Sequence, residues 1–181
     1  MAEFPVKGVE SIELAPLGVA GALPTTGWQK IIDIEDGSVS FNIPEPTKTK
    51  VRVEDKPGVW AVINEEGDGA TVTAKSLDFD PKKADLLFKG DADSASTTEF
   101  AAAVDQTINV QLAVRITTKA YGGFKMVFTM PKAAITARIE NALTKTGGTF
   151  LALGFTAEAL TPVDGSGNSL PAFKYTKTAV A

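Results

Sequence analysis

Residues 69–90 read GATVTAKSLDFDPKKADLLFKG, and the reading of this stretch decides the fold class. Thr71, Thr73 and Lys75 alternate with Val72 and Ala74, the period of two that gives a strand two different faces. Asp80-Pro81 then stops the strand. The Asp80 carboxylate can accept the free N–H groups of a first helical turn, and Pro81 at the first helical position has no N–H to leave unpaired. Ala84, Leu87 and Phe88 recur at helical spacing, and Gly90 stands where a left-handed residue ends a short helix. Lys82 and Lys83 lie at the positive end of the helix dipole, which is mildly unfavourable. The pattern predicts one short helix, about 80–90, set among strands.

Outward from this unit the chain is extended. Residues 9–14 alternate Ile12 and Leu14 with Ser11 and Glu13, whereas 16–26 form a loose Pro/Gly connection. Residues 28–34 and 38–43 read as a hairpin about Asp36-Gly37, with Val39, Phe41 and Ile43 inward. A second, longer hairpin at about 45–64 has a polar first arm, a turn at Lys56-Pro57-Gly58 and a return arm carrying Trp60; it is expected to project from the body. Downstream, Ile108, Val110, Leu112, Val114 and Ile116 face one side of the most regular strand, with Asn109, Gln111, Arg115 and Thr117 on the other. After Tyr121-Gly122-Gly123, Phe124, Met126, Phe128 and Met130 return. Pro131 interrupts, and Ala133, Ile135, Ala137 and Ile139 alternate beyond it. Strands at 149–157 and 173–178 complete a single mainly β domain over 1–181. The expected architecture is an antiparallel β-sandwich or barrel with one flanking helix.

Composition removes several chemistries. The chain has 181 residues, no Cys and no His, so disulfides, thiolate nucleophiles, serine triads and His-based zinc sites within it are excluded. A net charge of −4 argues against a surface that grips phosphates. MAEFPVKGVES lacks the apolar region of a signal peptide, and no run approaches membrane-spanning length, so a soluble chain made in the cytoplasm is expected.

The candidate sites each have a plainer structural reading. Acidic groups at Asp33/Glu35/Asp36, Glu65/Glu66/Asp68 and Asp78/Asp80 would have to converge in pairs to hydrolyse a glycoside. They lie at turns, where carboxylates serve as caps. Asp91-Ala92-Asp93 and Asp164-Gly165-Ser166-Gly167-Asn168 resemble pieces of calcium loops, but Ala102 and Tyr175 occupy the twelfth positions where such loops need Glu. Lys48, Lys50 and Arg52 could meet phosphates; with Glu54 and Asp55 beside them, a solvated face or subunit contact is the better reading. Trp28 and Trp60 could stack on a sugar, although core or interface packing is more usual. No phosphate loop or nucleophile elbow is present, and neither an enzyme nor a cofactor is expected.

The order of features in residues 27–90 resembles the tail tube proteins of long-tailed bacteriophages. The matching features are the strand from Trp28, the strand after Gly37, the long hairpin through Pro57, the sequence Leu77-Asp78-Phe79-Asp80-Pro81 and the helix closing at Leu86-Leu87-Phe88-Lys89-Gly90. Val9-Glu10-Ser11-Ile12-Glu13 also fits, and Pro44 to Pro46 departs from the pattern. The resemblance implies a virion structural protein, with six copies in a ring and rings stacked into a hollow tube that conducts DNA without binding it specifically. Other tail proteins would be its partners, and no membrane would be involved. The tube subunit of a contractile injection system, or a carbohydrate- or ligand-binding β-sandwich, are the alternatives. On the tube reading, Lys48, Lys50, Val51, Arg52, Val53, Val59 and Trp60 are candidate subunit contacts. Asn109, Gln111, Arg115 and Thr117 are candidate lumen-facing residues.

Overall fold

A computed structural model describes residues 6–45, 48–55, 57–64, 69–93, 97–101, 109–140 and 150–180. The fold is mainly β, with one α-helix. The strands are β1 (Val9–Ala15), β2 (Gln29–Ile31), β3 (Ser40–Asn42), β4 (Lys48–Val51), β5 (Ala61–Asn64), β6 (Thr71–Ser76), β7 (Val110–Thr118), β8 (Phe124–Glu140), β9 (Ala152–Ala159) and β10 (Lys174–Ala179). Helix α1 (Pro81–Lys89) forms as its ends dictate. Asp80 is extended and its carboxylate accepts the Lys82 N–H at 3.0 Å, while Gly90, at φ 72°, donates to Leu86 O. Lys83 ion-pairs with Asp78, which offsets its unfavourable place in the helix field. Ala84 and Leu87 are buried as the spacing predicts. Leu86 is buried as well, and Phe88 is only half-buried, its ring tilted against Phe100 with centroids 5.2 Å apart. The buried stripe is therefore rotated from the predicted one, and it also takes in Asp85, whose carboxylate meets Lys89 Nζ at 2.6 Å.

One sheet runs β2-β1-β7-β8-β9-β6-β3, every pair antiparallel. β10 also joins β8, pairing Lys174–Ala179 with residues 124–129, whereas β9 pairs with residues 133–140 of the same strand. The change of partner falls at Pro131. Leu112 pairs with Ala133 but Val114 with Met130, so β8 carries one extra residue there. A bulge is where a strand tolerates a residue without an N–H. It also switches which side chains point inward, from Met130 before it to Ala133 and Ile135 after it, all buried. The sequence presents Pro131 as an interruption between two strands; the chain instead passes through it as one bent strand of 17 residues.

The inner face collects Ile12, Leu14, Val72, Ala74, Val110, Leu112, Val114, Ile116, Leu153, Phe155 and Ala157, closed by Ala84, Leu86 and Leu87 of α1. The alternation predicted for β7 is present: Val110, Leu112, Val114 and Ile116 are buried and Gln111, Arg115 and Thr117 half-buried. Ile108 lies outside the described residues.

The hairpin expected about Asp36-Gly37 does not form. The turn is there, with Gly37 at φ 73° and Ser38 N–H donating to Glu35 O at 3.1 Å. Its flanks nevertheless pair elsewhere: β2 with β1, and β3 with β6. Asp33 takes a left-handed conformation, φ 50°, which short polar residues tolerate. This kink ends β2 and redirects residues 32–35 onto β6, where Leu77 N–H donates to Asp33 O and Glu35 N–H to Lys75 O. The chain thus runs along β6 on both sides of the turn, through the Ile34–Ser76 bridge and then β3. This bridge links the two flanks of the curled sheet without closing a barrel. Of the residues expected inward, Val39 packs on the core, Phe41 is 38% exposed and Ile43 59% exposed.

Candidate functional site

The long hairpin is a two-stranded sheet of its own. β4 and β5 pair from Lys48↔Asn64 to Val51↔Ala61, and among the described residues neither joins the main sheet. The register places Lys48, Lys50 and Val62 on one face and Thr49, Val51, Ala61 and Ile63 on the other. Lys48, Lys50 and Arg52 are exposed, and Val51 and Val53 half-buried. On the return arm Val59, Trp60, Val62 and Ile63 are each 43–59% exposed. Among the described residues these apolar side chains form a solvent-facing patch rather than a core.

A second surface lies on the body. Val9, Ile34, Val39, Phe41, Ile116 and Phe128 line an apolar cavity of about 720 Å³, with Glu35, Asp36 and Lys119 among its polar lining residues. Four elements meet there: β1, the kinked segment after β2, β3 and the β7–β8 pair. Its aromatic wall continues outward. Phe41 lies 5.3 Å from Phe128 and 5.2 Å from Phe173, and both Phe128 and Phe173 lie 6.2 Å from Tyr175, which is 63% exposed. Phe173 and Tyr175 belong to β10 and its entry, a part of the chain whose sequence is too short and polar to announce this role.

The candidate lumen-facing residues share a different face. Asn109 is exposed just before β7; Gln111 and Thr117 are half-buried on it. Arg115 is held from two sides: Nε donates to Glu13 Oε2 at 2.7 Å, and the guanidinium lies 4.2 Å from the centre of the Trp28 ring. Trp28 in turn donates Nε1–H to Pro24 O at 3.0 Å. A carboxylate across the strand and a stacked indole fix the Arg115 side chain, and one face of Trp28 is covered by it. A smaller cavity of about 560 Å³ is lined by Arg115 with Val127, Thr129, Lys174, Thr176 and Thr178.

The acidic segments resolve into turn chemistry. Asp164 Oδ1 accepts the N–H groups of Ser166 and Asn168 at 2.8 Å, and Oδ2 accepts the Asn168 side-chain amide at 3.0 Å. The Asn168 amide, then the Asn168 and Ser166 backbone N–H groups, hold the Asp164 carboxyl below its ordinary value. Asp91 Oδ1 likewise accepts Asp93 N–H at 3.0 Å. Among the described residues no group of three acidic side chains could hold a metal ion. Glu65, Glu66 and Asp68 lie outside the described residues. Among the described residues no helix is long and apolar enough to cross a membrane.

No protein-family model matches the chain, and no curated protein matches it.

Proposed function

We propose that this chain is a self-assembling structural subunit, the tail tube protein of a long-tailed phage, stacking as hexameric rings around a DNA conduit. One observation carries the reading: among the described residues the β4–β5 hairpin forms a separate two-stranded sheet, and it exposes Val59, Trp60, Val62 and Ile63. A two-stranded hairpin is marginal alone, and these side chains gain burial only against another surface. The resemblance of residues 27–90 to tail tube proteins names the assembly. The fixed Glu13–Arg115 pair also suits a conduit wall, since a guanidinium already neutralised by a carboxylate offers DNA less to hold.

The test is deletion of residues 47–56 to leave a short turn. The shortened protein is expected to keep its β-rich circular dichroism spectrum and to fail to form tubes by electron microscopy at concentrations where the full chain forms them. Tubes from the shortened protein would remove the assembly role. Loss of fold would show that the hairpin belongs to the core.

A further inference from the structure

We infer that the aromatic cavity between β1, β3 and β7–β8 receives the β4–β5 hairpin of a second copy of this chain. The inference rests on the proposed self-assembly and adds the place where one subunit takes hold of the next. Charge and chemistry choose the occupant. The hairpin presents Lys48, Lys50 and Arg52, all exposed, together with Trp60, 59% exposed. The cavity presents Phe41, Phe128, Val39 and Ile34 as its apolar wall, with Glu35 and the exposed Asp36 beside it and Tyr175 at its outer edge. Among the described lining residues Lys119 is the one cation, against the two carboxylates of Glu35 and Asp36. An indole entering an aromatic pocket, with a guanidinium and ammonium groups against two carboxylates, is the pairing that concentrates energy at protein interfaces. Lys48 and Lys50 stand on the paired strand β4 and Arg52 just beyond it, with Glu54 and Asp55 in the turn that follows.

Donor hairpin and receiving cavity are different surfaces of one subunit. Repeated in one direction, the contact closes into a ring or continues as a filament; exchanged reciprocally, it closes a two-fold dimer, and sedimentation velocity separates the two.

Two charge-reversed proteins test the contact: Glu35→Lys with Asp36→Lys in the cavity, and Lys50→Glu with Arg52→Glu in the hairpin. Circular dichroism establishes that each is folded, and sedimentation velocity follows assembly. Each variant alone is expected to need at least about tenfold more protein than the unmodified chain to assemble. An equimolar mixture is expected to recover, because each cavity then meets a hairpin of opposite charge. Trp60→Ala, at an exposed position that leaves the core untouched, should show the same loss without rescue. Variants that assemble like the unmodified chain, or a mixture that stays dissociated, would overturn this docking site. If the 47–56 deletion still blocked tubes in that case, the assembly reading would stand without it. An unmodified chain that stays monomeric at every concentration would overturn both.

Discussion

Leu86 and Leu87 offer the sharpest measurement of how α1 is held. Both are 1% exposed and belong to the buried cluster that also holds Val110, Leu112 and Met130, on the two strands, β7 and β8, that α1 packs against. Truncating either to Ala removes the transfer free energy of a buried leucine, less what a methyl retains, and leaves a void that the sheet closes only in part. The sum is roughly 2–4 kcal/mol for each. With a urea slope of about 2 kcal/mol per molar, the unfolding midpoint should fall by about 1–2 M. Val19→Ala is the control: at 89% exposure it should change stability by less than about 0.5 kcal/mol. The sequence pattern assigns the buried face to Leu87 and Phe88, so Leu86→Ala separates the two descriptions. An unchanged midpoint for Leu86→Ala would mean that the helix is rotated toward Phe88, and the packing given above would be wrong. A Leu87→Ala midpoint that also failed to move would detach the helix from the core altogether.

Asp80→Ala removes the carboxylate that accepts Lys82 N–H and should cost about 1 kcal/mol, read from the same urea transition; Asp80→Asn should recover most of it. Asp164 should titrate below an ordinary aspartate by NMR, and Asn168→Ala should move it upward, since the Asn168 amide is the largest cause. Because its folded-state value is depressed, the stabilisation it gives its loop is present above the unfolded value of about 3.9 and is lost as pH falls through the lowered folded value. A loop whose protection from hydrogen exchange rose on acidification through that range would contradict the sign.

Local signals carried much of the fold because they act over a few residues. Asp80-Pro81 and Gly90 bound the helix by backbone chemistry, and the alternation in β7 reflects one buried face. What failed was pairing. Asp36-Gly37 is a sound turn signal, yet a turn does not state whether its two arms bond to each other or to a third strand. Here Asp33 bends the chain so that both arms lie on β6. Nor does a proline state whether it ends a strand or sits in a bulge; the outcome at Pro131 depended on β10 and β9 sharing one edge of β8. The candidate hairpin was legible as two extended arms about Pro57-Gly58. The receiving cavity was not, because Val9, Ile34, Phe41, Ile116 and Phe128 meet only after the sheet curls.

The distribution of exposed apolar side chains supplies the remaining argument for assembly. Single exposed hydrophobic residues are normal on a soluble surface, whereas clusters are costly. In this chain two groups stand out, the hairpin with Val59, Trp60, Val62 and Ile63, and the aromatic edge with Phe41 and Tyr175, while others such as Leu17, Val19, Tyr121 and Phe150 are exposed elsewhere. The body already has a core that does not need them, built from β1, β2, β6, β7, β8, β9 and α1. Among the described residues the hairpin's strands pair with each other and outside the main sheet, and its cations follow its first arm. A solvated spacer would be served by polar residues in both arms. An arm that instead carries tryptophan, valine and isoleucine beside lysines is suited to a partner that is at once aromatic and acidic, and the cavity beside Glu35 and Asp36 is such a surface on the same chain.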